Sequence, residues 1–138
     1  MRDIETAVQN LAGHSICLCK DGVCITDDGR GISPMMRLLE EGKDLTGYSA
    51  ADLIVGKAAA MLFVKAGIVC VYGKTMSEAG SACLTAHGIP HFFDTMTEHI
   101  INRTGTGICP MEEAVADIED IGEGYAALKK RLAALSRQ

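Results

Sequence analysis

The dipeptide Asp21-Gly22 constrains the fold of this chain more than any other feature of its sequence. It separates two short segments of β character, residues 15–20 and 23–27. An Asp-Gly pair in this setting favours a two-residue type I′ turn, whose backbone twist matches that of two antiparallel strands. We therefore expect the sheet to begin with an antiparallel hairpin.

A second constraint lies in the middle of the chain, where residues 68–73 form a continuous apolar run typical of a buried strand. Ser77 suits the N-cap of a helix that extends to His87, Gly88 suits its end, and residues 89–93 return to β character. Two strands joined by such a helix pair in parallel. The predicted fold class is α/β, with a mixed sheet.

Apolar residues at helical spacing predict three helices in the first half of the chain. A short helix contains Ile4, Val8 and Leu11, and another begins at Ser33-Pro34. The longest helix is predicted over residues 49–66, because its first four residues match a capping box.

The last third of the chain is predicted less completely. Residues 95–102 fit a short helix and a strand equally well, so they receive no assignment. A helix is expected from Pro110 to about Ile118. The terminal helix carries an apolar stripe that packs either on its own domain or against a partner: Tyr125, Leu128, Leu132 and Leu135.

Length and charge limit the classes of function. The chain of 138 residues fits one domain, predicted to span residues 1–138, and its formal net charge is −5. A basic face for nucleic acid is not expected. We expect neither a signal peptide nor a membrane span, because the first residues carry acids without an apolar run and no apolar segment approaches the ~20 residues that span a bilayer. Because the six cysteines mostly stand in apolar runs, as buried free thiols do, we predict a reduced, cytoplasmic protein.

Three segments at predicted helix starts carry polar side chains suited to a ligand site. In open α/β sheets, ligands bind beyond the carboxyl ends of strands, so we expect these segments to converge on one pocket for a small polar or anionic molecule. The predicted ligand-binding residues are Asp52, Lys57, Thr75, Ser77, Glu78, Asn102, Arg103 and Glu112. The alternative is that several of them only complete helix starts and that Lys57 lies on a solvated side.

Cys109 is the candidate catalytic residue. It precedes Pro110, which suits the first position of a helix, so Cys109 is predicted near the N-cap. The partial positive charge of a helix end makes a thiol there a better nucleophile. The alternative is an ordinary cap after a loop closed by Gly105 and Gly107.

No metal ion or other cofactor is predicted. Cys17, Cys19 and Cys24 lie across the hairpin, but their spacing fits no structural zinc pattern, so packing is the preferred explanation. The four histidines form no ligand pair. The motifs of a serine nucleophile elbow and of a phosphate-binding Gly-Lys-Ser/Thr loop are missing.

Longer blocks of the sequence resemble the small prokaryotic family known as domain of unknown function 1893. The resemblance rests on residues 48–62, 76–78, 87–90 and 100–112. It implies a cytidine-deaminase-like fold, a three-layer α/β/α sandwich whose mixed sheet begins with an antiparallel hairpin. The metal ligand and neighbouring glutamate of zinc deaminases have no counterpart at Lys57-Ala58-Ala59, so zinc hydrolysis is not expected.

Three hypotheses for function follow. The first is a domain that binds a small nucleotide- or sugar-like molecule without a metal. The second is an enzyme in which Cys109 attacks an electrophile, with Lys57 or Arg103 stabilising its thiolate and Asn102 holding a substrate oxygen. The third is an interaction or oligomerisation subunit, a possible homo-oligomer, that uses the C-terminal stripe.

Overall fold

The computed structural model describes residues 2–102 and 104–136, and in this part of the chain it contains five strands and six helices. In chain order they are α1 (Asp3–Asn10), β1 (Ile16–Lys20), β2 (Val23–Asp27), α2 (Ser33–Glu40), β3 (Ser49–Val55), α3 (Lys57–Ala66), β4 (Cys70–Ser77), α4 (Glu78–Ala86), β5 (His91–Thr97), α5 (Pro110–Val115) and α6 (Ile121–Ser136). The strands form one sheet in the order β2-β1-β3-β4-β5.

The sheet begins with the predicted hairpin. β1 and β2 pair antiparallel, with Lys20 opposite Val23. Asp21 and Gly22 between them have φ values of 51° and 82°, and a type I′ turn requires a positive φ at both of its central residues. The local sequence is therefore sufficient to place the turn.

The other half of the sheet is parallel. β3 pairs antiparallel with β1 and parallel with β4, and β4 pairs parallel with β5. The predicted strand–helix–strand crossover over β4, α4 and β5 is confirmed. Both strands extend beyond the apolar runs, to Ser77 and Thr97, so β5 includes the first part of the segment that had no assignment.

The prediction of a helix over residues 49–66 is wrong in its first half. Residues 49–55 form β3, and the helix begins at Lys57. Ala50 and Ala51 are fully buried in β3, between β1 and β4. Backbone hydrogen bonds to two neighbouring strands outweigh the helix propensity of alanine and the resemblance to a capping box.

Helices cover both faces of the sheet, so the fold is a three-layer α/β/α sandwich. On one face α1 contributes Ala7 to a small cluster that also contains Cys17 of β1 and Ala51 of β3. On the other face α2, α3, α4, α5 and α6 enclose the main hydrophobic core, in which Phe63 and Leu84 are fully buried.

The C-terminal stripe contributes to this main core. Leu128 is fully buried, Tyr125 and Leu132 pack against the core, and Leu135 is exposed. The stripe thus packs on its own chain, the first of the two predicted alternatives. α6 has 16 residues, and among the described helices none is long and apolar enough to cross a membrane.

The cysteines differ in part from the prediction of free thiols. Cys19 and Cys24, which stand opposite each other in β1 and β2, form a disulfide. Cys17, Cys70, Cys83 and Cys109 are free. The prediction is therefore wrong for one pair, because it was based on the apolar flanks of the cysteines and not on the hairpin register, which sets Cys19 opposite Cys24.

Candidate functional site

A cleft with a volume of about 600 Å³ lies beyond the carboxyl ends of the three parallel strands. Residues that follow β3, end β4 and follow β5 all line it, as the general rule for open α/β sheets predicts. The polar side chains among its described lining are Lys57, Ser77, Cys83, His87, Glu98, His99, Glu112, Glu113 and Glu119. Three of the predicted ligand-binding residues, Lys57, Ser77 and Glu112, are thus brought together.

The carboxylate of Glu112 holds the start of α3. Its two oxygens accept hydrogen bonds from the backbone N–H groups of Lys57 and Ala58, each at 2.8 Å. These groups belong to the first turn of α3, where N–H groups lack a partner within the helix and the helix dipole is positive. Glu112 therefore acts as an N-cap supplied from α5.

Two glycines allow the elements around this cap to approach closely. A Cβ atom on Gly56 would collide with the carboxylate of Glu112, and a Cβ atom on Gly80 would lie 2.8 Å from the carbonyl oxygen of Val55. A larger side chain at Gly56 would push α5 away from the junction of β3 with α3, and a larger side chain at Gly80 would push α4 away from it. The cleft therefore depends on bare backbone at both positions.

Lys57 lines the cleft, is buried and has partners for its ammonium group. The residue is 8% exposed, and its Nζ donates to the carbonyl oxygen of Ala116 and to a carboxylate oxygen of Glu119, each at 3.2 Å. A buried ammonium requires such neighbours. Glu119 itself is exposed, so the pair connects the interior of the cleft to solvent.

Carboxylates dominate the charge of the cleft. Glu98, Glu112, Glu113 and Glu119 line it, against one lysine and two histidines. The Cys83 thiol also lines it, and burial raises the pKa of this thiol, an effect opposed by Lys57 and reinforced by Glu119 and Glu112. At neutral pH Cys83 is therefore protonated and a weak nucleophile.

Several predicted site residues lie away from the cleft lining. Asp52 is buried inside β3, where burial raises the pKa of its carboxyl group to about 7. Thr75 is half-buried within β4, and Glu78 is exposed in the first turn of α4. Ser77 does line the cleft, but its Oγ also caps α4 by accepting a hydrogen bond from the N–H of Gly80 at 3.0 Å.

The loop before α5 also differs from the predicted site. The side-chain oxygen of Asn102 accepts from the N–H of Thr106 at 3.0 Å and thereby closes the loop. Arg103 lies outside the described residues. Cys109 is the residue before α5, as predicted, but it packs against the main core and is not among the described residues that line the cleft. Its role as a nucleophile stays a prediction.

Other residues of the cleft were not predicted. Glu98 and His99 come directly after β5, and the rule for open α/β sheets points to that position once the strand is known to end at Thr97. His87 follows α4, and Glu119 lies between α5 and α6. For these two residues the sequence offers no signal, because packing of distant helices brings them to the cleft.

Comparison with known proteins bears on the fold. A family model described as domain of unknown function (DUF1893) matches residues 7–132. None of the curated proteins compared with the chain matches it. Among solved structures, a DUF1893 family protein from Thermotoga maritima is similar over 96% of this chain and 89% of its own, with a TM-score of 0.83 and 21% sequence identity. At that identity the likeness establishes a shared fold.

Proposed function

This chain belongs to the domain of unknown function family DUF1893, and from that premise we propose that its cleft binds a small molecule with a flat apolar body and no net negative charge, such as a nucleoside. The observation that carries the proposal is one cleft of about 600 Å³ that combines an apolar wall on α4 with the polar side chains of Lys57, Ser77 and Glu112. Pockets for small molecules typically have volumes of 300–1,000 Å³ and combine apolar walls with a few polar groups.

One wall of the cleft favours a flat apolar group. Ala79, Ala82 and Ala86 lie at helical spacing along α4 and all line the cleft, and Met61 lines it from α3. Because alanine side chains are short, a planar ring can lie close to the backbone of α4. Alanine has no side-chain rotamers to lose when the ring binds. A methionine side chain adapts to ring shapes and makes favourable contacts with aromatic edges.

The charge of the cleft opposes an anion. The carboxylate of Glu112 is directed at the start of α3, and the ammonium of Lys57 is paired with Glu119. Glu98 and Glu113 are exposed at the rim, where they repel a phosphate. We therefore replace the polar or anionic ligand expected from the sequence by a neutral or cationic one.

The proposal also includes two broader features. The strand order, with an antiparallel hairpin followed by parallel strands, supports a cytidine-deaminase-like scaffold, on which a nucleoside is a natural ligand class. This part of the argument is analogy between folds and carries less weight than the cleft itself. The cytoplasmic location expected from the sequence is supported by the four free cysteines and opposed by the Cys19–Cys24 disulfide.

A thermal-shift screen tests the proposed ligand class. The full chain is heated with nucleosides, with the matching nucleotides and with sugar phosphates. We expect a nucleoside to stabilise the protein, by about 2.7 kcal/mol at a concentration 100 times its dissociation constant. The nucleotide of the same base is expected to give a smaller shift because its phosphate meets the carboxylates.

Two tryptophan variants locate the binding site. Ala82→Trp fills the cleft from an exposed position on α4 and is expected to abolish the ligand-induced shift while the unliganded protein remains folded. Ala133→Trp places the same side chain at an exposed position of α6 and is expected to leave the shift intact. The proposal fails if no nucleoside produces a shift, or if the Ala82→Trp protein responds like the control.

A further inference from the structure

Three sulfur atoms meet on the face of the sheet that lies against α1. Cys17 and Cys19 alternate with Ile16 and Leu18 along β1, so both point to the same side. Their Sγ atoms are 3.6 Å apart. Cys24 stands opposite Cys19 in β2, and all three Sγ atoms lie within 4.8 Å of one another.

The surroundings of this three-cysteine cluster are apolar on one side and open on the other. Cys17 and Cys19 are fully buried, in contact with a cluster that contains Ala7, Leu11 and Ala51. Cys24 is half-buried, so it offers a path from solvent. Within residues 2–102 and 104–136, no further histidine, cysteine or carboxylate joins the group. Any ion held here would therefore have sulfur ligands alone.

Sulfur ligands at this spacing suit a soft metal ion. Thiolates select ions such as copper(I) and zinc(II), and three sulfur atoms about 2.3 Å from an ion in one plane stand about 4 Å apart. Structural zinc is held by four ligands, whereas copper(I) is satisfied by three sulfur atoms. We infer that Cys17, Cys19 and Cys24, when all are reduced, form a site for one copper(I) ion.

The disulfide and the metal site exclude each other. In the oxidised protein the bond between Cys19 and Cys24 leaves Cys17 as the one thiol of the cluster. A phosphine supplies two electrons that break this bond, and water supplies two protons for the thiols and the oxygen of the phosphine oxide. The pairing of β1 with β2 keeps Cys19 and Cys24 opposite each other after reduction.

An anaerobic competition experiment tests the inference. The full chain is reduced with a phosphine, which is then removed, and titrated with copper(I) held by a coloured chelator. We expect the protein to withdraw one equivalent of copper(I), and the copper X-ray absorption spectrum to show a shell of sulfur ligands alone. Protein oxidised beforehand, with the Cys19–Cys24 bond formed, is expected to bind at least about tenfold more weakly.

Alanine variants assign the ligands. Cys17→Ala and Cys24→Ala are each expected to weaken copper(I) binding at least about tenfold, whereas Cys70→Ala and Cys83→Ala, outside the cluster, leave it unchanged. Because Cys17 is buried, its replacement can disturb folding, so circular dichroism checks that each variant is folded. The result for Cys24→Ala decides the test, because Cys24 is only half-buried. The inference is overturned if reduced protein withdraws no copper(I), or if Cys24→Ala binds as the unmodified chain does.

Discussion

Glu112 is the side chain on which the geometry of the cleft depends most. It is supplied by α5 and caps α3 through two hydrogen bonds. Replacement of a capping side chain typically costs 0.5–2 kcal/mol, and loss of a carboxylate near a helix N-terminus adds to that. The contact therefore stabilises the packing of α5 on α3 and not one helix alone.

We expect Glu112→Ala to lower the free energy of unfolding by about 1–3 kcal/mol, because two partly buried N–H groups lose their acceptor. Urea unfolding of both proteins measures the difference. Glu113→Ala is the matched control, since Glu113 is the next residue of the same helix and is exposed. Equal losses for the two variants would contradict the role of Glu112 as a cap.

Asp52 makes stability depend on pH. Its folded-state pKa is raised from the ordinary value of 3.8 to about 7, chiefly by burial, with the N–H groups of Ile54 and Leu53 opposing the shift. As the pH rises, the unfolded chain therefore loses this proton first. The free energy of unfolding contributed by Asp52 is complete below about pH 4, declines up to about pH 7 and is then constant.

The Asp52→Asn variant removes this titration. Between about pH 5 and about pH 8, the free energy of unfolding of the unmodified chain is expected to fall relative to that of the variant, by at most about 4 kcal/mol over the full range. Urea unfolding of both proteins at the two pH values gives the difference, in which the other titrating groups cancel. If the two profiles run parallel, Asp52 does not titrate in this range.

Glycines let the elements around the cleft pack closely. The backbone of α4 approaches the backbone at the junction of β3 and α3 at Gly80, and the side chain of Met61 from α3 lies against Gly124 of α6. Close approach of helix and backbone needs a glycine on at least one side. The wall of alanines that α4 presents to the cleft therefore takes its position from Gly80.

Gly80→Ala is expected to destabilise the fold by about 1–3 kcal/mol, although alanine is intrinsically the better helix former by about 1 kcal/mol. Its Cβ would lie 2.8 Å from the carbonyl oxygen of Val55 and 3.0 Å from the carbonyl carbon of Gly56. Gly122→Ala, at an exposed position in the first turn of α6, is the control and is expected to leave stability unchanged or to raise it by up to about 1 kcal/mol. Thermal or urea unfolding measures both, and a stabilised Gly80→Ala protein would refute the close contact.

The molecule as a whole separates two sets of chemically reactive side chains. The three-cysteine cluster lies between the sheet and α1, and the cleft lies among α3, α4 and α5 on the opposite face. The sheet between them is a packed layer whose backbone hydrogen bonds are internal. We therefore expect a substitution at one site to change the stability contributed by the other site very little.

A double-mutant cycle checks this separation. The changes in unfolding free energy caused by Cys24→Ala and by Glu112→Ala are expected to add to within about 0.5 kcal/mol in the double variant, as they do for distant sites. The cycle of Gly56→Ala with Glu112→Ala serves as the coupled control, because a Cβ on Gly56 would collide with the carboxylate of Glu112. Coupling between Cys24 and Glu112 as strong as in the control would contradict the arrangement.

The candidate site was predictable where it follows from local rules. Ser77 caps a helix after a buried strand, and Lys57 is a lysine within a run of small apolar residues, so both stood out in the sequence. Asn102 stood out for its glycine-rich surroundings but forms the loop instead. His87 and Glu119 join the cleft through the packing of segments far apart in the chain, which no local pattern records.

The sequence by itself determined the hairpin, the crossover from β4 through α4 to β5, and the end of α3 at Ala66, because turn chemistry and apolar periodicity act over a few residues. The tertiary structure alone decided that residues 49–55 are a strand and that Glu112 caps a helix 55 positions earlier in the chain. The physical reason is that their stabilising partners, two neighbouring strands and a distant helix end, exist only after the chain has folded.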